Sequence, residues 1–219
     1  MKVFHLPDQC AAILFDLDST LYTNHEYARL QIDLPIERLA RQRGVTFIEM
    51  SGEIDRFRKD WAREHGGAQI SLGNVLAAFG ISIEETIKWR EELDEPERYL
   101  AVDEQLRRAL EQIESRFALA VVTNSPVSIA ARTLAALGVE DLFHAGTLVR
   151  IVGLDTCHVS KPHEKPLLHA AMLCGTGPES CVSVGDRYDI DIALPLELGM
   201  GGILVDGVED VYTLPEVWS

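Results

Sequence analysis

The chain has 219 residues, and its 47% hydrophobic and 25% charged residues are typical of a folded globular protein, which excludes a disordered chain. Its net charge of −15, from 35 acidic and 20 basic residues, disfavours nucleic-acid polymers and anionic membranes as partners. The sequence has no apolar run of the roughly 20 residues that span a bilayer, no recognisable signal peptide, and no metal-site spacing among its four cysteines. We therefore expect a cytoplasmic protein, and its oligomeric state stays open.

Apolar runs alternate with helical patterns in most of the chain, which is typical of an α/β protein with a parallel sheet. Residues 22–100, which follow the first of these runs, contain only helical patterns. We therefore predict a helical domain over 22–100, inserted into a core made of 1–21 and 101–219. The predicted strands are Ala11–Asp16, Phe117–Thr123, Cys181–Gly185 and Gly202–Val205, with a weaker one around 145–152. The predicted helices are Tyr27–Arg43, Phe47–Glu64, Ile70–Phe79, one that begins after Ser82, Glu104–Glu114, Ser125–Leu137 and Pro166–Leu173, and the acidic stretch Glu91–Glu97 is predicted to be a linker.

The first predicted strand ends in two aspartates, Asp16 and Asp18, which Ser19 and Thr20 follow. Alternate side chains of a strand share a face, so the two carboxylates can point together where the strand ends. Open parallel sheets bind ligands at this edge, and two close carboxylates are costly unless a cation lies between them. The pattern indicates a metal-assisted phosphoryl-transfer site. The alternative is an ordinary turn in which Ser19 or Thr20 caps a helix.

Two polar segments farther along the chain complement this pair. Thr123 and Asn124 follow the second predicted strand, where a hydroxyl and free backbone N–H groups suit phosphate oxygens, although the hydroxyl can equally cap the next helix. Lys161 precedes Pro162, which favours a helix start and places the lysine at the edge of the site. There its charge can neutralise both Asp16 and a phosphate. The alternative for Lys161 is a solvated surface residue.

A third polar segment follows the predicted strand Cys181–Gly185 and contains Asp186, Asp189 and Asp191. Asp186 lies at the tip of the strand and suits a hard cation that prefers oxygen ligands. The alternative is a helix N-cap, with the other two aspartates favoured by the helix dipole. Because the acidic, hydroxyl and lysine segments all adjoin predicted strand ends or helix starts, we favour one common site over separate accidents.

The order of the segments DLDST, TN, KP and GDRYDID resembles the haloacid dehalogenase superfamily of phosphohydrolases over 11–205, and the helical insert resembles the cap of its subfamily I. The resemblance implies a Rossmann-like core with an inserted all-helical cap, dependence on Mg²⁺, and an aspartyl-phosphate intermediate. The site residues that it implies are Asp16 as nucleophile, Asp18 as general acid and base, Lys161 as stabilising lysine, Thr123, Asn124 and Thr20 as substrate-binding residues, and Asp16, Asp18 (through its backbone carbonyl), Asp186 and Asp191 as metal ligands.

We therefore predict a Mg²⁺-dependent phosphatase that hydrolyses a small phosphorylated metabolite. The chain resembles pyrimidine 5′-nucleotidase-like members, which points to a nucleoside monophosphate, and phosphoglycolate phosphatases are nearly as similar. A phosphomutase and a non-catalytic phosphoester-binding module remain as alternatives, whereas a dehalogenase normally lacks an acid at the position of Asp18. The sequence departs from the family at Ser19, where Gly or Asn is frequent, and at Arg187, where Ser is frequent. The candidates for substrate contact in the cap are Tyr22, Asn24, Arg58, Trp61 and Arg63.

Overall fold

The central sheet has six strands in the computed structural model, which describes residues 1–218. The strands of the chain are β1 (Lys2–His5), β2 (Ala12–Phe15), β3 (Ala118–Val122), β4 (His144–Ala145), β5 (Leu148–Val149), β6 (Ile151–Val152), β7 (Cys181–Gly185) and β8 (Gly201–Leu204). The sheet order is β1-β8-β7-β2-β3-β6, and β4 and β5 form a separate hairpin. Strand β1 is antiparallel to β8, whereas the other neighbours in the sheet are parallel. The predicted parallel α/β sheet is confirmed.

The four main predicted strands agree with the observed ones to within a residue at each end. The weaker run at 145–152 instead forms three strands of two residues each, β4, β5 and β6. Strand β1 was not predicted. It lies at the edge of the sheet, where the side chains of Lys2, Val3 and His5 are exposed. An exposed edge strand needs no apolar run, and the sequence therefore shows none there.

The described part of the chain has ten α-helices. They are α1 (His25–Arg43), α2 (Phe47–Glu64), α3 (Leu72–Ala78), α4 (Ile83–Leu93), α5 (Glu104–Glu114), α6 (Val127–Leu137), α7 (Leu154–Cys157), α8 (Glu164–Leu173), α9 (Ala193–Glu197) and α10 (Val208–Thr213). The linker predicted to begin at Glu91 begins only after Leu93, because α4 continues to a buried ion pair between Arg90 and Asp94. No helix within 1–218 has both the length and the apolarity that a bilayer crossing requires.

Helices cover both faces of the sheet. Successive side chains of a strand point to opposite faces, so a strand that is buried throughout needs an apolar layer on each side. Ile13 and Phe15 of β2 face a cluster to which α5, α6 and α10 contribute. Ala12 and Leu14 of the same strand point the other way, against α8. This packing fixes the carboxyl end of β2, from which Asp16 emerges, between two apolar layers.

Helices α1–α4 share a third apolar cluster, separate from the two sheet layers. Ile36, Met50, Ile54 and Trp89 are among its buried members. These four helices are the cap that the sequence predicts, although the domain bounds at 22 and 100 stay a prediction. A cavity of about 410 Å³ lies between the cap helices and the strand ends of the core.

Candidate active site

Three neighbouring strands deliver polar side chains to the same edge of the sheet. Asp16 follows β2, Thr123 follows β3 and Asp186 follows β7. Strand β2 lies between the other two, and all three are parallel, so their carboxyl ends meet. The predicted segments DLDST, TN and GDRYDID therefore adjoin one another, at the edge where parallel sheets bind ligands.

Lys161 lies beneath this edge and is only 3% exposed. Its Nζ donates to Asp16 Oδ1 at 2.6 Å, to Asp191 Oδ1 at 2.7 Å and to the carbonyl of Val122 at 2.7 Å. Burial lowers the pKa of Lys161, but the two carboxylates raise it by more, so the ammonium stays charged. The surface alternative for this lysine is wrong. All three protons already have acceptors within the protein, which assigns Lys161 to holding the acidic groups in place.

Three carboxylates form an acidic cluster, which comprises Asp16, Asp186 and Asp191. They offer oxygen atoms that all lie within 4.8 Å of one another. Burial, together with the neighbouring carboxylates, raises the pKa of Asp16 to about 7 and that of Asp186 to about 6, despite opposition from Lys161 and Arg187. Asp186 Oδ1 is buried and accepts no hydrogen bond within the described residues. A hard divalent cation with oxygen ligands fits this cluster, because it would satisfy the unpaired oxygen and offset the charge.

A π-helical turn at Tyr188–Ile192 brings Asp191 back to the cluster. Its backbone carbonyl accepts a hydrogen bond from Ser183 Oγ at 2.7 Å, and its Oδ2 accepts one from the Arg187 N–H at 3.1 Å. Gly185 makes this return possible, since a Cβ there would lie 2.4 Å from the Cβ of Asp191. Asp189 points away from the cluster and accepts from the backbone N–H of Gln69 at 3.1 Å.

The side chain of Asp18 points towards the cap rather than towards the acidic cluster. Its Oδ1 accepts from Tyr22 Oη at 2.6 Å and from Gln31 Nε2 at 3.1 Å, and its Oδ2 accepts from Ser125 Oγ at 2.9 Å. Burial raises the pKa of Asp18, but the charge of Arg90 and these hydrogen bonds outweigh burial and lower the pKa overall. These contacts favour the ionised form of Asp18 and hold its side chain apart from the acidic cluster. This position is compatible with the predicted metal contact, which involves only the backbone carbonyl of Asp18.

The predicted substrate-binding residues lie at different depths. Thr20 is fully buried and donates to Asp16 Oδ2 at 3.3 Å, which places it behind the predicted nucleophile. Thr123 is also buried, and its hydroxyl accepts from the Ser125 N–H at 3.1 Å. Asn124 alone of the three lines the cavity, and its Oδ1 accepts from the Lys161 N–H at 2.6 Å. Substrate contact stays a prediction for all three.

The backbone at Ser19 explains why the family often has Gly or Asn at this position. Its φ is 63°, in the left-handed region that glycine and asparagine tolerate best. Ser19 itself lines the cavity next to Asp18. The serine is therefore a strained but workable substitute in the turn that carries the first motif.

Sequence analysis missed two cap residues of the site and singled out three that lie outside it. Gln31 and Arg90 both line the cavity, yet a lone Gln or Arg on an amphipathic helix carries no motif that would reveal it. Of the candidates in the cap, Tyr22 and Arg58 do reach the site. The other three do not: Asn24 caps α1, Trp61 stacks on His65 at 3.8 Å between ring centroids, and Arg63 pairs with Asp60 at the surface.

A family model for haloacid dehalogenase-like hydrolases matches residues 10–198. The chain therefore belongs to this family. It is similar to a phosphoglycolate phosphatase of Colwellia psychrerythraea (strain 34H), with 36% identity over 70 residues, or 32% of this chain and 29% of that protein. It is also similar to a glyceraldehyde 3-phosphate phosphatase of Methanopyrus kandleri, with 28% identity over 204 residues, or 86% of this chain and 81% of that protein. The family match and these relatives confirm the predicted class, a phosphoric monoester hydrolase.

Among solved structures, the chain is similar to a 2-haloacid dehalogenase from Pseudomonas syringae pv. tomato DC3000. The TM-score is 0.58 with 21% identity, and the alignment covers 96% of this chain and 100% of that one. The similarity confirms the predicted fold, a Rossmann-like core with a helical cap. It carries no information on the reaction, because the fold hosts several chemistries.

Proposed function

We propose that this protein is a Mg²⁺-dependent phosphatase that hydrolyses a small phosphomonoester through an aspartyl-phosphate on Asp16. The observation that carries the proposal is the arrangement around Asp16, which lies at a strand end within an acidic cluster and accepts a hydrogen bond from Lys161 at 2.6 Å. Asp16, Asp186 and Asp191, with the backbone carbonyl of Asp18, would hold the cation. Bound there, Mg²⁺ supplies positive charge that offsets the repulsion between a carboxylate and a phosphate dianion.

In the first step, an Asp16 oxygen attacks phosphorus and the ester P–O bond breaks. Lys161 and Thr20 fix the orientation of the attacking carboxylate, since they donate to its Oδ1 and Oδ2 respectively. The departing alkoxide needs a proton, and Asp18 is the acid that the superfamily resemblance implies. The hydrogen bonds that lower the pKa of Asp18 oppose this role, so the protonated form must arise when substrate alters that network.

In the second step, water attacks the aspartyl-phosphate and Asp16 is released. Asp18 accepts the proton of the attacking water, and its lowered pKa keeps it in the ionised form that a base needs. Tyr22, Gln31 and Ser125 hold the carboxylate in place for this transfer. The geometry of the structure is thus better matched to the second step than to the first.

The cavity favours a small, non-aromatic substrate. Within the described chain, none of the side chains that line it is aromatic, so a nucleobase would have no ring on which to stack. The nucleoside monophosphate predicted from the resemblance stays a prediction without support from the cavity. The names of the two curated relatives suggest instead either a phosphorylated acid or a phosphorylated aldehyde.

The test is hydrolysis of p-nitrophenyl phosphate and of a panel of small phosphomonoesters, with Mg²⁺ and with chelator. We expect activity only with the cation, and a loss of at least about 10³-fold in kcat for Asp16→Asn, because the nucleophile is then gone. Asp189→Asn is the matched control: Asp189 lies in the same motif as the cluster, but its carboxylate accepts from the backbone N–H of Gln69, so the variant should keep near wild-type activity.

Four outcomes would contradict the proposal. Equal activity in chelator removes the metal from the reaction, and appreciable turnover by Asp16→Asn removes the assigned nucleophile. Transfer of the phosphoryl group to an added sugar phosphate in preference to water would identify a phosphomutase. Tight binding of phosphomonoesters without any turnover would identify a non-catalytic binding module.

A further inference from the structure

Arg58 of α2 is a cation of the cavity that has no buried counter-ion. Its Nε is buried without a hydrogen-bond partner within 1–218, and its guanidinium forms no ion pair with any described residue. Within 1–218, the one acid that raises the pKa of Arg58 is Asp55, which is exposed to solvent one turn earlier on the same helix. An unsatisfied guanidinium that lines a cavity points to a ligand that is absent from the structure.

The other cations of the site are already matched by carboxylates. Lys161 donates to Asp16 and Asp191, and Arg90 donates to Asp94. Arg187 lies 3.7 Å from Asp186, measured from Nε to Oδ1. Among the described residues, Arg58 is therefore the cation of the cavity lining that has no carboxylate partner.

The charge of Arg58 lies on the cap, whereas the groups predicted to handle the transferred phosphoryl belong to the core. Both Arg58 and Arg187 line the cavity. Burial and, to a lesser degree, the like charge of Arg187 lower the pKa of Arg58, although Asp55 opposes them. The cavity that Arg58 lines also has apolar lining residues, among them Pro35, Ala62 and Leu76. An apolar lining lowers the local dielectric constant and so strengthens an ion pair formed in the cavity.

We propose that Arg58 binds a second anionic group of the substrate, a carboxylate, so that the enzyme selects phosphorylated small organic acids over phosphorylated analogues that lack the carboxylate. The proposal rests on the phosphatase function proposed above. Arg58 is in this view a specificity-determining residue and takes no part in the chemical step. A guanidinium suits the role because it donates two parallel hydrogen bonds to a carboxylate.

The experiment compares matched acids and aldehydes of the same carbon skeleton in the presence of Mg²⁺. The pairs are 2-phosphoglycolate with glycolaldehyde phosphate, and 3-phosphoglycerate with glyceraldehyde 3-phosphate. The measured quantity is the preference ratio, kcat/KM for the acid divided by kcat/KM for the aldehyde. We expect the wild-type ratio to be well above one for at least one pair, and to fall about 10- to 100-fold in Arg58→Gln.

Two further variants identify the cause of a change. Arg58→Lys keeps the charge but not the two-pronged donor geometry, so its ratio should lie between those of the wild type and Arg58→Gln. Arg63→Gln is the matched control on the same helix, because its side chain is 78% exposed and pairs only with Asp60. It should leave the ratio unchanged. An equal loss on acid and aldehyde in Arg58→Gln would overturn the proposal, since Arg58 would then bind the transferred phosphoryl group.

Calorimetric titration with non-hydrolysable phosphonates separates this inference from the proposed function. The probes are 3-phosphonopropionate, which carries a carboxylate, and propylphosphonate, which does not. We expect tighter binding of the first in the wild type and loss of that advantage in Arg58→Gln. If hydrolysis fails for every ester but this difference is seen, only the proposed function falls. If the wild type hydrolyses p-nitrophenyl phosphate but binds both phosphonates equally, only the present inference falls.

Discussion

At the scale of single residues, two aspartates that are separated by one residue lie in opposite electrostatic environments. Burial and neighbouring acids raise the pKa of Asp16 to about 7, whereas Arg90 and three hydrogen bonds overcome burial and lower the pKa of Asp18. Environments that separate the pKa values of paired carboxyls are how one site assigns different roles to chemically identical groups. In the proposed mechanism, Asp16 requires a cation before it can act as a nucleophile, whereas the lowered pKa of Asp18 suits it to act as a base.

Replacement of Asp18 by Asn tests this division of roles. Hydrolysis of alkyl phosphates should slow by about 10²- to 10⁴-fold, because the leaving alkoxide then lacks its acid. Formation of the aspartyl-phosphate from p-nitrophenyl phosphate should suffer less, since that leaving group is a weak base. The intermediate should accumulate because water lacks its base, and intact-mass spectrometry of quenched samples would detect it. Equal losses on both kinds of ester without a trapped intermediate would leave Asp18 with a structural role only.

The site residues that carry motifs could be predicted, whereas in the cap two site residues, Gln31 and Arg90, were missed and only two of five candidates reach the site. Asp16, Lys161, Asp186 and Asp191 adjoin strand ends or turns, and the structure brings their carboxylate and ammonium groups together. The unpaired guanidinium of Arg58 depends instead on how the cap lies on the core. That packing is a long-range property which no local sequence pattern records.

At the scale of secondary-structure elements, α4 connects the cap to the catalytic edge through a single arginine. Arg90 donates to Asp94, which is 2% exposed, and its Nη2 donates to Ser125 Oγ at 2.8 Å. Ser125 in turn donates to Asp18. The buried pair of Arg90 and Asp94 therefore stabilises the end of α4 and, through Ser125, helps to position Asp18, the predicted acid–base residue.

Removal of one partner of this pair should be costly. Arg90→Met leaves the Asp94 carboxyl buried without its cation, which should lower the free energy of unfolding by about 3–5 kcal/mol in urea titrations. The double variant Arg90→Met, Asp94→Leu should regain much of that loss, since both buried charges are then gone. Arg98→Met is the control: it breaks an ion pair of the same kind with Glu95 at the surface and should stay close to wild type. Equal stability of Arg90→Met and wild type would show that the pair adds nothing.

The elements themselves were predictable where their burial follows a regular pattern. The buried strands β2, β3 and β7 and the helix α2 were predicted almost to the residue because apolar runs or amphipathic periodicity define them. Strand β1 and the π-helical turn at Tyr188–Ile192 were not. The first is exposed on both faces, and the second depends on the close approach of Asp191 to Gly185.

At the scale of the whole molecule, the charge balance favours a state with a bound cation. The chain carries a net charge of −15, and three of its carboxylates lie close together in the acidic cluster at a largely buried edge of the sheet. Lys161 neutralises only part of this charge. The remaining negative charge can be offset by protonation of a cluster carboxyl or by binding of a divalent cation. Folding, proton binding and metal binding should therefore be thermodynamically linked.

This linkage predicts how stability changes with pH when no metal is present. The pKa of Asp16 in the folded protein is about 7 and that of Asp186 about 6, both above the value of about 3.9 for an unfolded aspartate. Between these values the folded protein binds more protons than the unfolded chain does. The contribution of the two carboxyls to stability is therefore full below about pH 4 and is lost as pH rises towards about 7.

Added Mg²⁺ should reverse that loss, and melting temperatures would show it. Because the cation binds the ionised carboxylates, its stabilising effect should be small near pH 5 and grow towards about pH 8. In Asp186→Asn the effect of Mg²⁺ should largely disappear, and the fall in stability with pH in chelator should become shallower. Asp189→Asn, which retains its hydrogen bond to Gln69 through an amide oxygen, should behave like wild type. A Mg²⁺ effect that is largest at low pH, or that survives in Asp186→Asn, would show that the acidic cluster does not hold the cation.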